Sequence, residues 1–136
     1  MKIKLIKFDN YMQPPKRAHY NDAGADVFAP ADVYIPKNKT VKVPLGFGVE
    51  IPNGYMGCIY SRSSLSAKGL ACEMPPIDSG YRGEIHAVIT NHTTEMQKLE
   101  KGSRIGQLVI HPIAVPDFVD DYESERGDGA FGSTGV

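Results

Sequence analysis

The chain has 136 residues, 41% of them hydrophobic and 23% charged, with a formal net charge of -1. That is enough apolar material for one core and one domain, and it excludes wholesale disorder. The near-neutral balance supplies no basic face for nucleic acid, so any anionic ligand must be held by local groups.

From the N-terminus, residues 2–8 (KIKLIKF) alternate charged and apolar side chains, as in a strand with one wet face. The same alternation argues against a secretory leader. Further strands are predicted over 25–29, 32–35, 39–44, 46–51, 54–60, 83–90 and 104–112. Turn signals separate them, among them Pro30, Pro36, Pro52-Asn53-Gly54 and Pro75-Pro76. Residues 62–68 (RSSLSAK) predict a turn or two of helix opened by a serine cap. Beyond the last strand, Pro112 and Pro116 bar regular structure, and 113–125 read as an arm leaving the body. Short strands at this spacing specify an all-β barrel or sandwich over 1–112, with a C-terminal arm over 113–136. Strands late in the chain have edges that a neighbouring subunit could cover, which favours an oligomer.

No apolar run approaches membrane-spanning length. Cys58 and Cys72 lack metal-type spacing and read as thiols in a reducing compartment, so the expected location is cytoplasmic. The four histidines form no close pair, and no zinc site is read. Asn38-Lys39-Thr40 and Asn91-His92-Thr93 fit the glycosylation pattern, but without a secretion signal neither is read as used.

Five segments carry candidate chemistry. In NDAGADVFA (21–29) two carboxylates flank a glycine. Either this is a turn, with Asp22 bonding its own backbone, or Asp26 stands near a metal or water. In SRSSLSAKG (61–69), Arg62, Ser63 and Ser64 open the short helix, as caps or as a phosphate site. In PIDSGYRGEIHAVITN (76–91), Asp78 and Tyr81 occupy a hairpin-like turn. Asp78 is there a general base or turn chemistry, and Tyr81 a platform under a sugar or hairpin packing. In KGSRIGQLVI (101–110), Arg104 and Gln107 differ in parity, so both cannot face one side of a regular strand. The last segment, RGDGAFGSTGV (126–136), has glycines that let backbone N–H groups converge on an anion. Arg126 adds a planar cation, Ser133 and Thr134 add hydroxyls, and Phe131 adds a flat face for stacking. The alternative is a frayed terminus. Its G-x-G-x-x-G spacing lacks the strand and helix of a dinucleotide site.

Together and in this order, DAGADVFA, SRSSL, IDSGYRGEI, GSRIGQLVI and RGDGAFGSTG resemble the five motifs of the trimeric dUTP pyrophosphatase (dUTPase) family, over nearly the whole chain. The resemblance implies a jelly-roll-like β-barrel with at most one short helix and a flexible C-terminal arm. It implies a homotrimer whose active sites each draw on three subunits, with dUTP as substrate and Mg2+ as cofactor. By matching position, Asp78 would activate water, and Tyr81 would lie beneath the deoxyribose and exclude a 2′-hydroxyl. Arg62, Ser63 and Ser64 would hold phosphates with Gln107 assisting, and Asp26 would support the metal through water. Arg126, Phe131, Ser133 and Thr134 would form a lid, Phe131 stacking on uracil.

Departures stand in two places. Pro75 and Pro76 precede the Ile-Asp of the third motif where the family usually has Gly-Val or Gly-Leu, and proline has no N–H for reading a base. Asp128 and Ala130 stand in the lid where the family often has Ser and Gly. The nearest rival is a dCTP deaminase of the same fold, but Val88 falls where its catalytic Glu would stand and Tyr81 replaces its Trp. The rival from another class is a dUTPase-like trimer that regulates a partner protein.

Overall fold

The computed structural model describes residues 1–121. The strands are β1 (Leu5–Lys7), β2 (Ala25–Phe28), β3 (Val33–Ile35), β4 (Thr40–Pro44), β5 (Phe47–Val49) and β6 (Tyr55–Tyr60). After the helix α1 (Ser63–Ala67) come β7 (Leu70–Glu73), β8 (His86–Asn91), β9 (Gln97–Leu99) and β10 (Arg104–Pro112). The strands pair antiparallel, as β2-β10-β6, β4-β8-β7, β1-β5 and β3-β9.

Period-two alternation explains how these small sheets share a core. In β8 (HAVITN), Ala87, Ile89 and Asn91 point inward, and in β2 (ADVF), Ala25 and Val27 do. Val27, Ile35, Phe47, Ile89 and Ile105, one or more from each sheet, meet in a single cluster at no more than 1% exposure. Burying each such side chain stabilises the fold by about 1.5–3 kcal/mol. Among the described residues the one buried polar side chain is Asn91, at 0% exposure. Its Nδ2 donates to the Ile35 and Glu95 carbonyls at 2.8 and 2.9 Å, and its Oδ1 accepts from the Thr93 N–H and hydroxyl. The Asn91-His92-Thr93 pattern therefore ties the end of β8 to β3 and to the turn before β9, and is closed to modification in the folded chain.

All eight predicted strands form, several shortened. The first covers 5–7 rather than 2–8, because only those residues meet β5. Strand 83–90 becomes β8 at 86–91, because Gly83 and Glu84 stay in the preceding loop. The pattern missed β7 and β9, which are short and do not alternate. The serine cap is a correction: Arg62 is the N-cap of α1 and makes no side-chain cap. Ser61 instead accepts the Cys72 N–H at 2.7 Å, tying the helix entry to β7. A second correction concerns Pro112, which ends β10 opposite Tyr55 rather than barring the strand. A proline fits there because the last position need not donate. Residues 113–121 carry no regular structure. Among the described residues no helix is long and apolar enough to cross a membrane.

Candidate active site

The predicted site residues fall into two groups. The first is built on β2 and β10. Alternation in β2 turns Asp26 away from the core, and register places it opposite Gln107. The Asp26 carboxylate is 16% exposed and lies between two guanidinium groups, 3.9 Å from Arg62 Nε and 3.7 Å from Arg104 Nη1. Arg62 also reaches the Arg104 carbonyl at 3.5 Å. Ser63 and Ser64 begin α1 beside it, both exposed. Gly24 makes the grouping feasible: a Cβ there would fall 2.5 Å from Gln107 Oε1 and 2.8 Å from Gln107 Cβ.

Arg104 is the residue that parity misplaced. The register against β2 slips between Arg104 and Gly106, a bulge that opposes extra β10 backbone to β2. The strand is not regular there, so Arg104 and Gln107 both come to the Asp26 side. The cluster carries two guanidiniums against one carboxylate, a local excess of positive charge with an exposed rim.

The second group is a cleft of about 220 Å³ that includes Asp78, Tyr81, Ile59, Ile77 and Val88 in its lining. Ile77 fixes one side through reciprocal backbone bonds with Gly57 at 2.8 and 2.9 Å. Asp78 opens a turn closed by the Tyr81 N–H on the Asp78 carbonyl at 3.1 Å. The Tyr81 hydroxyl donates to the Glu84 carbonyl at 2.8 Å, and its ring lies so close to Gly83 that a Cβ there would sit 2.6 Å from Cζ. Glu84 anchors the loop, its Oε2 accepting from the Gly46 N–H and from Asn10 Nδ2, both at 2.8 Å. Of its lining, the motifs single out Asp78 and Tyr81, with Pro75, Pro76 and Val88 as departures. Lys42, Glu73, Glu84 and His86 join it through cross-strand register and the loop closure, which no local pattern announces.

The two groups differ in charge. The cleft lining holds three acidic residues, Glu73, Asp78 and Glu84, against Lys42 and the imidazole of His86. None of Asp26, Arg62, Ser63, Ser64 or Gln107 lines it. In one chain, the candidate base and the candidate phosphate-holding groups therefore do not share this cleft. Among the described residues no three His, Cys, Asp or Glu side chains gather to hold a metal by themselves. Arg126, Phe131, Ser133 and Thr134 lie outside the described residues.

Solved structures place this architecture. A dUTPase from phage phi11 of S. aureus superposes with a TM-score of 0.84 at 26% identity, over 92% of this chain and 99% of that one. The Staphylococcus bacteriophage 80alpha dUTPase, solved with dUpNHpp, gives 0.81 at 32% identity over 99% of both chains. The fold is thus the all-β jelly roll of small nucleotide hydrolases. The dUTPase sequence profile matches residues 10–135. A deoxyuridine 5'-triphosphate nucleotidohydrolase of Clostridium tetani is 40% identical over 99% of this chain and 96% of its own, and one of Cutibacterium acnes is 42% identical over 90% and 85%. The chain belongs to the dUTPase family.

Proposed function

We propose that this protein hydrolyses dUTP to dUMP and pyrophosphate, with water attacking the α-phosphorus under general-base assistance from Asp78. The observation that carries the reading is the separation of charge. A cleft with excess carboxylate suits the uncharged sugar and base but repels a triphosphate. The Asp26, Arg62 and Arg104 cluster has the opposite balance and suits phosphate oxygens. One nucleotide could span one chain's cleft and another chain's arginines, and the homotrimer with shared sites that the family resemblance implies would supply that pairing. Residues 113–136 are then the arm that carries Arg126, Phe131, Ser133 and Thr134 to a neighbouring site.

In this arrangement Tyr81 lies along the sugar, locked by its bond to Glu84, and leaves no room for a 2′-hydroxyl. Arg62, Ser63, Ser64 and Gln107 hold phosphate oxygens, and Asp78 takes a proton from the attacking water. A positioned base contributes about 10²–10⁴-fold. The residues present fit Mg2+, a hard cation that keeps several waters and needs one or two carboxylates beside substrate phosphates. Asp26 would hold it through water, and the bound ion would spread the charge of the phosphate oxygens. The phi11 enzyme is described with a structural Mg(II) ion.

Deamination of dCTP is the weaker reading, because Val88 lines the cleft and cannot move a proton. A second role as a regulator finds support in the phage 80alpha dUTPase, described as controlling transfer of virulence genes. Such a role predicts partner binding that survives Asp78→Ala. The direct test of catalysis is pyrophosphate release from dUTP, dTTP, dCTP and UTP with Mg2+, for the parent and Asp78→Asn. Turnover confined to dUTP and lost in the variant is expected, and mixing Asp78→Asn with Arg62→Ala chains should restore it. Unimpaired Asp78→Asn would sink the mechanism.

A further inference from the structure

A buried base needs partners for its hydrogen-bonding atoms, because an unanswered polar group is costly. Pro75 and Pro76 line the cleft, and their backbone has no N–H to give. The Tyr81 hydroxyl is committed to Glu84, and the Glu84 carboxylate to Gly46 and Asn10. The sheet wall supplies His86, whose Nδ1 lies 3.1 Å from the Glu84 carbonyl, and two charged groups. Lys42 on β4 and Glu73 on β7 both pair with Val88 on β8. The three therefore form one row on one face, with the outer two roughly 10 Å apart at ordinary strand spacing. All three line the cleft.

Glu73 is also held in place. Thr90 Oγ1 donates to Glu73 Oε1 at 2.8 Å. With its proton so used, Thr90 accepts from Thr40 Oγ1 at 2.7 Å. A hydroxyl relay thus crosses the sheet and fixes the carboxylate, which keeps further lone pairs free to accept.

We propose that Glu73 and Lys42 read the pyrimidine edge. The Glu73 carboxylate accepts the uracil N3–H, and the Lys42 ammonium donates to a flanking carbonyl oxygen. This rests on the assignment of the cleft to the nucleoside end. Cytosine presents a lone pair at N3, which a carboxylate repels, so the group that admits uracil also rejects cytosine.

The test measures kcat and KM for dUTP and dCTP, and the affinity for 2-deoxyribose 5-triphosphate, which lacks a base. Parent, Glu73→Ala, Glu73→Gln and Thr90→Val are compared. Glu73→Ala should raise KM for dUTP by about tenfold or more, the lower end for a hydrogen bond to a charged group, with kcat nearly kept. Affinity for the abasic triphosphate should not change. Glu73→Gln can turn its amide N–H2 to cytosine N3, so the dUTP preference over dCTP should narrow by about tenfold. Thr90→Val, which unties the carboxylate without removing it, should raise KM less. An unchanged KM in Glu73→Ala, or an equal loss of abasic affinity, overturns the proposal. A parent inactive on dUTP would instead remove the cleft assignment, and this proposal with it.

Discussion

Asn91→Ala should be among the most destabilising single changes in the described chain, and the structure sets its size. The side chain is wholly buried and makes four hydrogen bonds: two donated to the Ile35 and Glu95 carbonyls, two accepted from Thr93. Its backbone bonds with Asn38 and Lys39 survive the change. The Thr93 hydroxyl also reaches the Glu95 carbonyl at 2.8 Å, so one of the four is recoverable. Three remain lost, at about 1 kcal/mol each, and the vacated amide adds a small cavity. The expected cost is about 3–4 kcal/mol, a large part of an ordinary domain's 5–15 kcal/mol. For a chain of this size that lowers Tm by roughly 10–15 °C. Calorimetry at fixed protein concentration measures it, since association shifts apparent Tm. Asn91→Asp separates hydrogen bonding from packing. It keeps the shape but turns a carboxylate oxygen toward two carbonyls. That arrangement and burial raise the new carboxyl's folded pKa above the unfolded value of about 3.9. The native state then binds the proton more tightly, so this variant is most stable in acid and loses stability as pH rises through the raised value. The Ala deficit, by contrast, should not track that titration. A Tm drop under about 3 °C in Asn91→Ala, less than one ordinary hydrogen bond, would refute the reasoning.

Two further outcomes follow. Gly24→Ala forces a Cβ to within 2.8 Å of Gln107 Cβ, so it should cost about 1–3 kcal/mol of stability. It should also lower kcat/KM for dUTP, measured on protein kept well below its Tm; full activity would show that Gln107 can be displaced freely. Burial pushes the Cys58 and Cys72 thiols up from their ordinary value. Thiol labelling of the native protein at pH 8 should therefore be slower than of urea-unfolded chain. Because the folded thiols hold their protons more tightly, their contribution to stability is present below the unfolded value near 9 and is lost as pH rises through the folded one.

The sequence displayed what is local. KIKLIKF and RIGQLVIHP alternate, and both became strands; β10 matches its predicted bounds of 104–112. LACE and QKL have no period to read, and they are strands because β8 and β3 offer them partners. Asp22 and Asp26 looked alike on either side of Gly24. The fold separates them: Asp22 Oδ2 accepts the His19 N–H at 2.9 Å and closes a turn, while Asp26 faces two arginines.

The harder part of the candidate site is a property of pairing. Parity put Arg104 and Gln107 on opposite faces, and that argument is sound for a regular strand. A slip of register against β2 reverses it, and such a slip depends on which backbone groups find partners across the sheet. The cleft follows the same rule. Lys42, Val88 and Glu73 are distant in the chain and become one row only when β4 and β7 both pair with β8. Motifs named single residues such as Asp78 and Arg62, because their chemistry is written in residue type. The sign of charge around each depends on neighbours that pairing brings in: three carboxylates around the cleft, a second guanidinium beside Asp26. On the proposed function, that contrast would leave each chain with two unlike half-sites, which a triphosphate with a neutral head would bridge between subunits.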